Sequence, residues 1–161
     1  MGSGIHITND FYENSQLYDN ERPDTEDCSK KYACDSERQF QYLKPVLPKC
    51  RLLDFGCEIG GFLLKAREFT KIAHGVELET CLSSYYQSHG LTVFRNLSDI
   101  PKDIRRKGYD IITMFHVLEH LPDPKLLLSQ LGKILAHGGQ IIVEVPNADY
   151  NTPQISYQWL R

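Results

Sequence analysis

The chain has 161 residues, 41% of them hydrophobic and 24% charged, which is enough for one domain with a single substantial core. No apolar run approaches the roughly 18 residues needed to span a bilayer, so no membrane partner is expected. The net charge is −3, with nine acids and six bases in residues 1–50 and twelve of each beyond, which leaves no broad basic face for nucleic acid.

Residues 1–34 are polar and broken by Pro23. Phe11, Tyr12, Leu17 and Tyr18 form one apolar face of a short helix there. The segment reads as a flexible N-terminal arm or as a lid over a site, with residues 35–161 forming the folded domain. Asp35 or Ser36 caps a helix to about Lys44, with Phe40 and Leu43 inward, stopped by Pro45 and Pro48. Arg51–Phe55 is the first strand, and a helix follows over about Gly60–Thr70. The second strand, Ile72–Val76, ends at Glu77. A helix from Glu79 to Ser88 stops at Gly90, and Leu91–Phe94 is the third strand. Pro101–Lys107 reads as a short surface helix and Asp110–Phe115 as the fourth strand. Pro124–Ala136 reads as a helix ended by Gly138-Gly139, and Ile141–Val145 as the fifth strand. Strands alternating with helices across short loops require right-handed crossovers, hence a parallel sheet covered on both faces.

The first strand runs into Asp54-Phe55-Gly56-Cys57-Glu58-Ile59-Gly60-Gly61-Phe62, a glycine-rich turn that opens a helix. Such a turn brings the backbone close to a ligand and offers it unpaired N–H groups. Glu77, at the end of the next strand, stands where a carboxylate accepts both hydroxyls of a ribose. Together they predict a nucleoside cofactor. Asp54 and Glu58 make the turn acidic, which repels a pyrophosphate and suits a ligand carrying an ammonium and a sulfonium, as S-adenosyl-L-methionine does. Asn96-Leu97-Ser98-Asp99 is expected beside the adenine, with Asp99 either accepting from its amine or capping the next helix. The five cysteines, at 28, 34, 50, 57 and 81, are odd in number and irregular in spacing. They predict reduced thiols, a cytoplasmic location and no metal site, with Cys57 packed in the turn.

At these residues the chain resembles the class I S-adenosylmethionine-dependent methyltransferases. Asp54, Gly56 and Gly60 match their acid-x-Gly-x-Gly-x-Gly motif, whose middle glycine is Glu58 here. Tyr109 to Leu121 looks like their fourth-strand motif, and Leu131 to Val145 like their fifth. The resemblance covers about residues 36–147. It implies a Rossmann-like doubly wound α/β sheet of strand order 3-2-1-4-5, with the ligand where the order reverses. The family adds sixth and seventh strands. The chain stops at Arg161, too soon for either, so truncation is expected, and a bare fifth strand would leave an edge through which a homodimer could form.

The resemblance further implies that Asp54, Gly56, Cys57, Gly60, Phe62, Glu77, Leu78, Asn96, Leu97, Phe115 and His116 surround the cofactor, whose product is S-adenosyl-L-homocysteine. His116, Glu119 and His120 are the candidate proton acceptors, with His120 alternatively a packed histidine. The His116-x-x-Glu119-His120 spelling also matches a zinc-hydrolase motif, which needs a long helix that Pro122 and Pro124 interrupt. Leu118 to His120 and Glu144 to Asn147 resemble methyltransferases acting on small-molecule acceptors, those of ubiquinone type and those acting on a sugar or nucleotide-sugar. The rival expectation is a module that binds the cofactor without turnover.

Overall fold

The computed structural model describes residues 25–79 and 81–146 and the strand at 158–160. The Phe11, Tyr12, Leu17 and Tyr18 cluster and Asn147 lie outside the described residues. Helix α1 is Thr25–Leu43, starting ten residues before the expected cap. No Gly or Pro falls between Pro23 and Pro45, so nothing in the backbone breaks the helix at Asp35 or Ser36. Ser36 packs instead: a Cβ on Gly61 would lie 2.5 Å from its hydroxyl oxygen.

The remaining elements are β1 (Arg51–Phe55), α2 (Gly61–Ala66), β2 (Ile72–Val76), α3 (Ser83–Ser88), β3 (Thr92–Phe94), α4 (Lys102–Lys107), β4 (Tyr109–Phe115), α5 (Pro124–Gly132), β5 (Leu135–Glu144) and β6 (Gln158–Leu160). The sheet order is β3-β2-β1-β4-β5-β6. Its first five strands are parallel and in the expected order. β6 corrects the expectation that the chain stops before a sixth strand: it runs antiparallel along Ile141–Val143. The free β5 edge on which a homodimer was expected is therefore occupied over those residues.

Alternate residues of each strand feed opposite faces, as a doubly wound sheet demands. Leu53, Phe55, Ile112, Met114 and Ile141 join Leu127 and Leu131 of α5 on one face. Leu52, Ile111 and Ile142 join Phe40 and Leu43 of α1 and Phe62 of α2 on the other. Gly138-Gly139 does not end a helix. It lies inside β5, where the pairing slips between Tyr109–Leu135 and Ile111–Gln140, and Gly138 has φ +76°. Glycines tolerate the kink of such an irregularity in a strand.

Candidate functional site

The turn after β1 is built from main-chain bonds. Gly56 N–H donates to Val76 O at 2.8 Å, tying it to the end of β2, and Gly60 N–H donates to Cys57 O at 2.7 Å. Gly56 and Gly60 have φ of +74° and +78°, where other residues are strained. A Cβ on Gly56 would also lie 2.3 Å from Val117 Cγ2, so this glycine clears protein atoms as well as ligand space. Glu58, at the departure from the family pattern, adopts φ +44°. The turn thus keeps its left-handed path with an acid at that position. Buried Tyr86 of α3 donates its hydroxyl to Glu58 O, a support the sequence does not signal. Cys57 is buried, and burial holds its thiol well above the ordinary range, as expected for packing.

Asp54 is 3% exposed and accepts from Thr113 Oγ1 at 2.7 Å. Burial pushes its carboxyl up to about 7, against the Thr113 hydrogen bond, with the charges of Glu58 and Glu77 adding to the rise. Glu77 Oε2 accepts from Glu58 N–H at 3.0 Å and Oε1 from Glu79 N–H at 3.2 Å. Burial raises its pKa too. Each carboxylate oxygen has more than one acceptor site, so Glu77 is oriented by the backbone and retains capacity for a diol.

Two cavities meet at the carboxyl ends of β1, β2 and β4. One, of about 410 Å³, is lined by Glu77 and Leu78. The other, of about 340 Å³, is lined by Asp54, Cys57, Phe62 and Glu119. Tyr32, Gly56, Glu58, Phe115, His116 and His120 line both, making one cleft. Among its described lining residues are several acids but no Lys or Arg. That composition, with the charge of Glu58 raising the pKa of both Asp54 and Glu77, fits a cationic ligand.

At the far end of the cleft His116 has φ +54°, a strained value of the kind that clusters at functional sites. It is held twice by Glu144: main-chain N–H to Glu144 O at 2.9 Å, and Nε2 2.9 Å from Oε1. Glu144 is fully buried. Arg38 reaches it from α1 at 2.7 Å and 3.2 Å, and Gln39 Nε2 at 3.2 Å. Glu119 Oε1 lies 3.7 Å from His116 Nδ1. His120 is exposed in the cleft wall rather than packed. Leu118–His120 forms one 3-10 turn, so the two imidazoles do not share the long helix a zinc site of this spelling requires.

Asn96 and Leu97 lie apart from the other expected cofactor residues. Neither lines the acidic cleft; both line a separate cavity with Lys102 and Arg105. Asp99 accepts from Asn96 N–H at 3.0 Å in the capping box of the 3-10 turn Leu97–Asp99, whereas the next helix, α4, follows Pro101 with no side-chain cap. Cleft residues Tyr32 and Gln39 were missed, as was Arg38, which lines neither cavity but reaches Glu144. Tyr32 sat in the presumed arm, while Arg38 and Gln39 looked like ordinary polar positions of a helix. The role of Glu144 was missed as well, although a carboxylate ending an apolar strand was a signal.

A parallel sheet with an acid-flanked glycine turn on β1 and a backbone-oriented carboxylate ending β2 defines a Rossmann-like nucleoside-cofactor fold. A profile described as "Methyltransferase domain" matches residues 19–161, and the chain belongs to that family, the class I S-adenosylmethionine-dependent methyltransferases. The ubiquinone biosynthesis O-methyltransferase of Marinobacter nauticus is 31% identical over 107 residues, covering 60% of this chain and 44% of that protein. Its Coxiella burnetii counterpart is 30% identical over 107 residues, with 62% and 44% covered. The chain thus spans less than half the length of these curated relatives. Two solved structures share the fold. The S-adenosylmethionine-dependent methyltransferase of Archaeoglobus fulgidus has TM-score 0.61 and 24% identity, over 74% of this chain and 57% of that one. Magnesium protoporphyrin IX methyltransferase of Synechocystis, with bound S-adenosylmethionine, has TM-score 0.61 and 14% identity, over 94% and 83%.

Proposed function

We propose that this chain binds S-adenosylmethionine and methylates a hydroxyl oxygen of a small-molecule acceptor. When bound, the cofactor supplies an electrophilic methyl group on a sulfonium. The observation carrying the reading is the acidic cleft, where Asp54, Glu58 and Glu77 gather around a glycine turn without a lining Lys or Arg. In this reading Glu77 holds the ribose, Leu78 lies against the adenine, and Asp54 with Glu58 faces the cationic end. Phe62 and Phe115, whose rings meet edge to face at 5.1 Å, wall the cleft and limit water there.

His116 serves as the proton acceptor. Its Nε2 faces the Glu144 carboxylate, which fixes the proton on that nitrogen and leaves Nδ1 to take one from a hydroxyl. Glu119, beside Nδ1, stabilises the imidazolium that results. Glu144 acts through His116 and is a positioning residue. The relatives named above are O-methyltransferases of ubiquinone biosynthesis, which supports a hydroxyl acceptor and gives no support to a sugar or nucleotide-sugar. Among the described residues no helix is long and apolar enough to cross a membrane.

Calorimetry with S-adenosylmethionine, S-adenosylhomocysteine and a nicotinamide dinucleotide tests the cofactor. The first two bind, the dinucleotide does not, and Glu77→Ala weakens binding by about tenfold or more, as loss of charge-assisted hydrogen bonds does. Turnover of phenolic acceptors, lowered in His116→Ala with cofactor affinity kept, separates an enzyme from a module that binds without reaction. Binding of the dinucleotide in place of the sulfonium ligand would overturn the reading.

A further inference from the structure

Among the described side chains, two buried polar atoms lack a hydrogen-bond partner: Arg105 Nε and Gln130 Oε1. Both residues line the same cavity of about 330 Å³, which shares no lining residue with the acidic cleft. Buried polar atoms in native interiors are nearly always satisfied, and an orphan calls for a missing partner. Two on residues that line one cavity, one a donor and one an acceptor, call for a partner that both accepts and donates.

The wall supplies the rest of the ligand's description. α4 contributes Lys102, Arg105 and Arg106, the end of α5 contributes Gln130 and the adjoining Lys133, and no Asp or Glu lines the space. The nearby acids are engaged elsewhere: Asp99 caps Asn96 N–H, and Asp103 faces Lys107 at 3.7 Å. Gln130 is 6% exposed, so it belongs to the floor of the cavity rather than the rim. The volume lies at the small end of the roughly 300–1,000 Å³ range of small-molecule sites.

We propose that this cavity binds a small phosphate monoester carrying a hydroxyl group. Phosphoryl oxygens accept from Arg105 Nε and take the charge of the surrounding ammonium and guanidinium groups. The ligand hydroxyl donates to Gln130 Oε1. A bare anion without a donor leaves Gln130 unpaired, and a neutral diol leaves the cationic wall without counter-charge.

Calorimetry at fixed ionic strength with glycerol 3-phosphate, inorganic phosphate and glycerol tests this. Glycerol 3-phosphate binds saturably and most tightly, inorganic phosphate binds more weakly, and glycerol gives no heat. Gln130→Leu lowers glycerol 3-phosphate affinity about tenfold, the loss expected for one hydrogen bond and its desolvated partner. Lys102→Ala with Lys133→Ala, both at exposed positions, weakens both phosphates. S-adenosylmethionine binding is unchanged in all variants, which verifies folding and separates this site from the cleft. The proposal fails if glycerol 3-phosphate shows no saturable binding at millimolar concentration. It fails equally if binding survives Gln130→Leu and the double lysine variant unchanged, or if a crystal grown with the ester shows only ordered water between Arg105 and Gln130.

Discussion

Asp54 is buried where a carboxylate is costly, and it still faces the cleft where a cation is expected. Folding lifts its carboxyl from the usual 3.8 to about 7, so between those values the folded chain holds a proton the unfolded chain has released. Its contribution to stability is full below about pH 4 and is lost as pH rises toward 7. Asp54→Asn, neutral throughout, removes up to about 1.4 kcal/mol per pH unit of that fall, and denaturant melts at pH 5 and 7 measure it. A bound cation favours the ionised form. S-adenosylmethionine therefore binds more tightly as pH rises through 7 and releases protons on binding. Calorimetry in buffers of different ionisation enthalpy reads that release, and equal heats across buffers would count against Asp54 facing a positive ligand. That Asp54, Glu77 and His116 meet in one cleft was legible in the sequence, because each lies within one residue of the carboxyl end of a recognisable strand. Asn96 and Leu97 line a separate cavity; they follow the three-residue strand β3, and a capping box closes the turn that carries them.

At the scale of elements, the glycine turn depends on a glycine in the strand beside it. Gly75 of β2 pairs with Asp54 of β1, and a Cβ there would lie 2.6 Å from Cys57 Sγ, 2.8 Å from Leu63 Cδ1 and 3.1 Å from Val93 Cγ2. Its missing side chain lets the turn and α2 settle onto the sheet. Gly75→Ala gains strand propensity but displaces three packed neighbours, and overpacking of this kind costs about 1–3 kcal/mol. A lowered melting temperature with weakened S-adenosylmethionine binding is expected, and an unchanged melting temperature would show that the turn yields freely. β1, β2 and β4 were readable because their apolar runs are bounded by clear turn residues. The limits of α5 and β5 were not, since Gly138-Gly139 reads equally as a helix stop and as a strand irregularity. Only the pairing of Leu135 with Tyr109, 26 positions earlier, decides between the two, and local pattern does not carry that contact.

For the whole molecule, the cleft is closed by a contact between distant parts of the chain. Arg38 and Gln39 of α1 meet Glu144 at the end of β5, and the same carboxylate holds His116. Helix α1 also brings Tyr32 to both cavities, so fastening the helix and orienting the imidazole are one event. Arg38→Ala leaves a fully buried carboxylate short of its cation, and breaking such a pair from one side costs about 3–5 kcal/mol. The remaining bonds from Gln39 and His116 and the partial exposure of Arg38 place the cost at the lower end. Glu144→Gln in the Arg38→Ala background restores part of the loss, because a buried amide tolerates the missing cation better than a carboxylate does. A double-mutant cycle by chemical denaturation therefore gives a coupling well above that of an exposed ion pair, about 0–1 kcal/mol. Hydrogen exchange sharpens the outcome: in Arg38→Ala the amides of α1 exchange faster while those of β1 and β4 keep their protection. Equal acceleration in all three would show that Glu144 supports the sheet generally rather than fastening the helix across the cleft.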